Sequence, residues 1–332
     1  MPQSQQRASR SVGLLGLGHA LPEARRTNAD PIFQQARLGA VLDGVSEAQL
    51  FTGVLERRVV SSGETAEALT VSAARAALEA SGVDIHQIDR IYGCVSPSSH
   101  LVPNGLFEVH RQLGLSNTAL VLPITTEFTT FVLSCALAKE AIASGACDYV
   151  LVACGSAWTQ NMDYTNPHAW SVGDAASAVV LGPAERFVWL DHAVVTHSAA
   201  VDSMTLRPRS VETDHGPSTK ATFQIAPEGI RAFLELGMTE PPRLLSTLMY
   251  KYDVAPGNLT LVSHQASARL MDRWAEQLRP AAYLSSLAEL GNMTLATIGV
   301  NLARDSDKIT TDYVGCIALG AGQHFAVSLI QR

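Results

Sequence analysis

Charge is scarce in this chain. Of 332 residues 17% are Asp, Glu, Lys or Arg, and 24 Lys and Arg against 31 Asp and Glu leave a formal net charge of −7. Without a basic excess there is no footprint for binding a phosphate backbone, so nucleic acid is excluded as the expected partner. Long apolar runs are also missing. No stretch of about eighteen uncharged apolar residues occurs that could span a bilayer. The first apolar run, SVGLLGLGHAL at Ser11–Leu21, is short, broken by glycines and preceded by a polar tail without a signal-peptide cleavage pattern. A soluble, cytoplasmic protein that does not enter a membrane is expected. Cysteine is sparse: Cys94, Cys135, Cys147, Cys154 and Cys316 are odd in number, scattered, and set mostly in apolar runs such as YVLVACGS. That usage reads as reduced core thiols, and it excludes a disulfide frame or a zinc site. The histidines, among them His100, His110, His168 and His324, lack metal-ligand spacing, so packing or surface roles are expected for them, with no metal and no cofactor. No period of about 20–50 residues suggests a solenoid.

What is present is a chain that should fold, with 47% hydrophobic residues. Its length is enough for about two domain-sized units. Residues 1–10 (MPQSQQRASR) read as a disordered tail, Val12–Leu17 as a buried strand and Ala40–Phe51 as an irregular or helical insertion. Thr65–Ser81 has Ala and Leu at helical spacing and stops at Gly82, a favourable C-cap. Strand-like Asp89–Val95, helical Gly105–Leu113 and strand-like Ala119–Pro123 follow. Thr130–Ser144 is nearly apolar until Lys139, which predicts a helix buried on most sides, and Tyr149–Ala153 and Ala175–Leu181 read as strands. A second series begins at Val188–Ser198. It continues through helices near Pro227–Leu236, Pro241–Tyr252, Ala266–Leu278 and Thr294–Ala303, with strands at Leu259–Val262, Gly315–Leu319 and His324–Ile330. Two α/β halves, 11–183 and 184–332, are expected.

Three short motifs sit where α/β folds collect reactive groups. In VSHQAS at Val262–Ser267 a histidine follows an apolar strand and precedes a helix. GNMTLA at Gly291–Ala296 opens a helix with a Gly-Asn step, and LGAG at Leu319–Gly322 would allow backbone to approach a ligand closely. Together with RTNAD at Arg26–Asp30, TGVLERR at Thr52–Arg58, SGACDYVLVACGS at Ser144–Ser156 and VGDAASAVVL at Val172–Leu181, their order resembles the beta-ketoacyl-acyl-carrier-protein synthase III family of the thiolase superfamily. The likeness runs from Val12 to Gln331. It implies a thiolase-like five-layer αβαβα sandwich of two pseudo-symmetric halves, acting on an acyl thioester of coenzyme A or acyl carrier protein. Family catalytic His and Asn fall on His264 and Asn292, and the family's glycine-rich oxyanion loop on Gly320, Ala321 and Gly322.

The nucleophile departs from that pattern. Counting back from SGA at Ser144–Ala146 places Phe128 where the family has its cysteine, inside Thr125-Thr126-Glu127-Phe128-Thr129-Thr130. Phenylalanine cannot exploit the thiol-activating helix N-terminus, so an acyl-cysteine is not expected at that position. Cys135, two turns further along, reads as a core thiol. Glu127 is either a capping carboxylate or a base beside His264, and Thr129 and Thr130 are either caps or hydroxyls lining the substrate with Phe128, Ala321 and Gly322. The segment Ser46–Gly53 carries Glu47 and Phe51 where the family's adenine-sandwiching Trp and Arg precede TGIxER, so that coenzyme A contact is not retained. Arg269 falls where the resemblance implies carrier-protein docking. Two functions follow as expectations. One is acyl transfer or condensation without an acyl-cysteine, in specialised fatty-acid or polyketide metabolism. The other is a noncatalytic subunit that shapes the pocket of a cysteine-bearing thiolase-fold partner. The resemblance implies a homodimer or heterodimer built on Ala175–Leu181 or its neighbours.

Overall fold

The computed structural model describes residues 10–35, 39–213 and 216–332. The expected disordered tail 1–10 therefore lies, except for Arg10, outside the described residues. Ten strands form the main sheet: β1 (Val12–Ala20), β2 (Arg90–Ser96), β3 (Leu120–Pro123), β4 (Val150–Ser156), β5 (Ala175–Pro183), β6 (Val188–Thr196), β7 (Leu259–Ser263), β8 (Ala282–Leu284), β9 (Tyr313–Gly320) and β10 (His324–Gln331). Their spatial order is β8-β7-β9-β10-β6-β1-β5-β4-β2-β3. Outward from the centre, each half of five strands follows the same path, first, fifth, fourth, second, third. The pairing sense repeats as well. β2 is parallel to β3 and β4 while β5 is antiparallel to β4 and β1, and β7 is parallel to β8 and β9 while β10 is antiparallel to β9 and β6. The two half-sheets meet in a single β1–β6 register pair, Gly13 with Val188.

Helices fill the layers around these sheets. α1 (Ala66–Ser81) starts where the Thr65 side chain accepts the Ala68 amide at 3.1 Å and ends at Gly82, whose φ of 67° is the left-handed conformation a C-cap needs. Its apolar face and that of α2 (Leu106–Leu113) cover one face of the first half-sheet. α4 (Glu240–Lys251) and α5 (Ala268–Leu278) cover the outer face of the second. Between the half-sheets lie α3 (Thr130–Ala143) and α6 (Thr297–Asp305), packed against strands of both halves. The result is the five-layer αβαβα sandwich. α3 is apolar over most of its circumference because both sides face sheet, and Phe131, Val132, Cys135 and Ile142 are buried. Each large apolar side chain so buried contributes roughly 1.5–3 kcal/mol. β4 (VLVACGS) is buried at every residue for the same reason, lying between helical layers instead of facing water.

Two expectations are corrected. Ala40–Phe51 is neither shapeless nor mainly helical. It forms a small antiparallel ladder, Val41–Leu42 with Val45–Ser46, followed by one 3₁₀ turn, Glu47–Gln49. β5 offers no free edge on which a partner's strand could pair, because β1 and β4 occupy both of its edges and are themselves interior. The main sheet's free edges belong to β3 and β8. Elements without a counterpart in the sequence reading include β8, only three residues long, the antiparallel hairpin Met204–Thr213 with Gly216–Ile225, the short ladder Arg25–Thr27 with Glu56–Arg58, and the helical turn Leu287–Leu290.

Candidate active site

The ends of β7 and β9 and the N-terminal approaches to α3 and α6 converge on one apolar cavity. Glu127, Phe128, His264, Asn292 and Ala321 line it, with Phe51, Trp158, His168, Phe223 and Phe233 among the surrounding walls. His264 leaves the end of β7 with its amide bonded to the Ile317 carbonyl of β9 at 2.7 Å and its side chain 1% exposed. Burial drives its pKa from the ordinary 6.5 down to about 4, against an opposing contribution from the Thr294 backbone. At neutral pH it is an uncharged imidazole, and Nδ1 has no partner among the described residues.

Asn292 is fixed from both directions. Its amide donates to Ser171 at 2.6 Å and its carbonyl accepts from Gly173 at 3.0 Å, so a loop of the second half is bridged to the segment ahead of β5 in the first. Gly291 makes this close approach possible. Its φ is 67°, and a Cβ there would stand 2.4 Å from the Ser171 carbonyl oxygen. Asn292 Oδ1 accepts the Thr294 amide at 2.9 Å, which leaves the Nδ2 donors for a ligand. Neutral imidazole and carboxamide N–H groups are suited to hold a carbonyl oxygen that gains negative charge.

Glu127 opens the 3₁₀ turn Glu127–Thr129 ahead of α3 with φ of 52°, and Thr294 has φ of 48°. Both are non-glycine residues in the left-handed region, a conformation costing roughly 1–2 kcal/mol that clusters at functional sites. The Glu127 residue as a whole is half-buried, but its carboxylate is desolvated. That pushes its pKa up, with the Ser96 hydroxyl, 3.1 Å from both oxygens, opposing the shift. Glu127 and Ala321 also border a surface cleft that contains Thr126, Gly322 and His324. Phe128 stacks on His264 with ring centroids 4.9 Å apart and planes 16° from parallel, and its ring meets the edge of Phe223 at 6.2 Å.

The cavity does not take in every residue named from the sequence. Thr129 and Thr130 are fully buried and do not line it. Their hydroxyls donate to backbone carbonyls, Thr129 Oγ1 to Thr126 at 3.1 Å and Thr130 Oγ1 to Ile124 at 3.0 Å, so they close the turn ahead of α3. Gly322 faces the surface cleft, and Arg269 is exposed on the first turn of α5. None of the five cysteines lines the cavity, and all are buried. Burial pushes the Cys94 thiol up to about 12 and that of Cys135 well above its usual value, so neither is a ready thiolate. Sequence reasoning missed the aromatic wall, and also His168, which is buried and bound to Glu47 instead of packing or lying on the surface. Glu47 and His168 are 121 residues apart, and no local pattern announces their contact. Among the described residues no group of three or more His, Cys, Asp or Glu side chains could hold a metal, and no helix is long and apolar enough to cross a membrane.

Comparison with known proteins agrees with this architecture. Residues 123–198, which span the cavity's Glu127 and Phe128, match the family model for 3-oxoacyl-acyl-carrier-protein (ACP) synthase III. A beta-ketoacyl-acyl-carrier-protein synthase III of Bradyrhizobium diazoefficiens is 28% identical over 337 residues, 97% of this chain and 98% of the relative. One of Vibrio parahaemolyticus is 26% identical over 294 residues, 86% of this chain and 87% of the relative. Among solved structures, 3-oxoacyl-(acyl carrier protein) synthase III of Pseudomonas aeruginosa PAO1 superposes with a TM-score of 0.80 at 23% identity, covering 97% of this chain and 98% of its own. The priming beta-ketosynthase of the R1128 polyketide biosynthetic pathway superposes with 0.84 at 20% identity, covering 99% and 98%. The chain thus has the thiolase fold and is similar in sequence to beta-ketoacyl-acyl-carrier-protein synthase III proteins.

Proposed function

We propose that this protein is a condensing enzyme or acyltransferase of fatty-acid or polyketide metabolism that acts on a thioester-borne acyl group without an acyl-cysteine intermediate. The observation that carries this reading is the convergence of His264, Asn292 and Glu127 on an apolar cavity that no cysteine lines. An acyl chain fills the apolar walls, and its thioester carbonyl lies against the N–H groups of His264 and Asn292. Attack by the acceptor moves the carbonyl electrons onto the oxygen between these two donors, where fixed dipoles in a dry site are most effective. Glu127, desolvated and readily protonated, exchanges the proton of the acceptor or of the leaving thiol. The thioester is carried by an acyl carrier protein or coenzyme A; Arg269, exposed on the first turn of α5, is the residue we assign to carrier docking. Homo- or heterodimerisation through the sheet would use β3 or β8, and β3 presents the exposed apolar side chains Leu120 and Leu122.

The test is turnover of acyl-coenzyme A and acyl-carrier substrates by wild type and single variants. His264→Ala and Asn292→Ala are each expected to reduce transfer by roughly 10²–10³-fold, as for the loss of one oxyanion donor, with the fold intact. A second reading rests on the Phe128 ring covering His264: the chain is a noncatalytic subunit of a heterodimer whose partner supplies the cysteine. Under that reading both substitutions leave the reconstituted complex at wild-type rates, which would eliminate the enzymatic reading.

A further inference from the structure

The apolar cavity shares a wall with a second, polar cleft bordered by Gly39, Asp163, Thr165, Asp202 and Gln224, and His168 lines both. His168 is 6% exposed and Glu47 3%. His168 Nδ1 stands 2.6 Å from Glu47 Oε1, which also accepts the His168 amide at 3.2 Å, and Glu47 Oε2 accepts the Ala40 amide at 3.2 Å. Burial opposes a charge on Glu47, but the bonds from His168 and from the two amides outweigh it and hold the carboxyl below its ordinary value. An ionised carboxylate only accepts hydrogen bonds, so Nδ1 must carry the hydrogen, and in a neutral imidazole Nε2 then presents its lone pair. The edge contacts of the ring with Phe223 at 5.1 Å and Phe51 at 6.2 Å restrict its orientation, and Nε2 makes no hydrogen bond among the described residues. A carboxylate that fixes the tautomer of an imidazole facing a ligand cavity is the arrangement of a general base.

The pair is also tied mechanically to the carbonyl-holding group. His168 lies on the 3₁₀ turn Pro167–Ser171, where the Ser171 hydroxyl donates to the His168 carbonyl at 2.8 Å and the Ser171 carbonyl accepts the Asn292 amide. One 3₁₀ turn, about 6 Å of rise, separates the two residues, so His168 and Asn292 are mounted on a single rigid support.

We propose that Glu47 and His168 form a second acid–base pair of this site, which takes the proton from a hydroxyl acceptor as it attacks the thioester carbonyl held by His264 and Asn292. The acceptor enters through the polar cleft while the acyl chain occupies the apolar cavity. Its oxygen forms the new bond to the acyl carbon, and its proton passes to His168 Nε2. The carbonyl electrons return, the C–S bond breaks, and the departing thiolate recovers the proton from His168. His168 is the catalytic residue and Glu47 its positioning residue. This proposal rests on direct acyl transfer as argued above.

The test uses full-length protein with octanoyl-pantetheine as acyl donor, and either 1-butanol or hydroxylamine as acceptor, with thiol release followed colorimetrically. Butanol needs a base, whereas hydroxylamine is an unprotonated, strong nucleophile at neutral pH. His168→Gln and Glu47→Gln are expected to lower transfer to butanol by roughly 10²–10⁴-fold and to lower transfer to hydroxylamine, measured above the enzyme-free rate, by less than about tenfold. Added imidazole should restore butanol transfer to His168→Ala. His264→Ala is expected to lower transfer to both acceptors. If the His168 and Glu47 variants lose both acceptors alike, their role is structural and the proposal is overturned. It is also overturned if they lose neither while His264→Ala still loses both, which leaves the direct-transfer reading standing. A wild-type protein that transfers to neither acceptor, or a His264→Ala variant as active as wild type, overturns both.

Discussion

Replacing Phe128 with cysteine is the most direct way to ask whether this side chain occupies the place of a nucleophile. The residue precedes α3 and its ring lies on His264 at a centroid distance of 4.9 Å, so a thiol at that position would sit beside an imidazole and near a helix N-terminus, both of which favour thiolate. A fully buried aromatic ring removes about 150–250 Å² from water. For half-buried Phe128 the lost burial is about 100 Å², or roughly 2–3 kcal/mol at 25 cal/mol per Å². Loss of the ring stack adds roughly 0.5–1.5 kcal/mol. A total of about 3–4 kcal/mol lies below the roughly 5–15 kcal/mol that holds a typical domain together, so Phe128→Cys should remain folded. Incubated with acyl-coenzyme A or acyl-carrier thioesters and examined by intact mass spectrometry, the variant is expected to gain one acyl group and the wild type none. Adding Glu127→Gln should speed acylation, because a neighbouring carboxylate disfavours thiolate. A folded Phe128→Cys variant that takes no acyl group would refute the placement. So would a stoichiometric adduct on the wild type that disappears in Cys135→Ala.

The pH dependence of stability gives a separate check. His264 binds a proton near pH 6.5 when unfolded but only near 4 when folded, so the unfolded state holds more protons between those values, and stability falls as pH drops from 6.5 to 4. The shift corresponds to about 3 kcal/mol. His264→Gln should flatten that limb in denaturant titrations, and superimposable limbs would count against a buried neutral imidazole. Asp174 acts in the opposite sense: burial raises it from 3.8 to about 6 against bonds from Thr159 and Val60, so its contribution grows as pH falls through that window. Asp174→Asn should therefore steepen the acid limb. Gly291→Ala should reduce acyl transfer by about as much as Asn292→Ala, roughly 10²–10³-fold, because the added Cβ displaces the loop from Ser171. Wild-type turnover would show that the Asn292 position tolerates a shift.

Regular elements were legible wherever local chemistry decides them. Thr65 and Gly82 bracket α1 because a hydroxyl cap and a left-handed glycine act over one turn, and the apolar circumference of α3 follows from having sheet on both sides. β8 escaped because three residues, Ala282–Leu284, carry no periodicity and are held by parallel pairing to β7. In the site, His264 and Asn292 could be marked by their motifs, and both line the one cavity. Thr129 and Thr130 show the limit of such reasoning. Position along the chain placed their hydroxyls near the chemistry, but satisfying the carbonyls of Thr126 and Ile124 turned them inward. The Glu47–His168 contact depends on the tertiary approach of two segments, and sequence spacing carries no trace of it.

The single register pair between the half-sheets has a consequence for how activity arises during folding. Glu127 and Phe128 come from the first half, His264, Asn292 and Ala321 from the second, and the halves are joined mainly by the shared layer of α3 and α6. Neither half by itself carries the full set of residues that line the cavity. On refolding from denaturant, recovery of far-UV circular dichroism should therefore precede recovery of turnover, with the lag set by docking of the two halves. Separately expressed fragments should be inert alone and regain function only on reassociation.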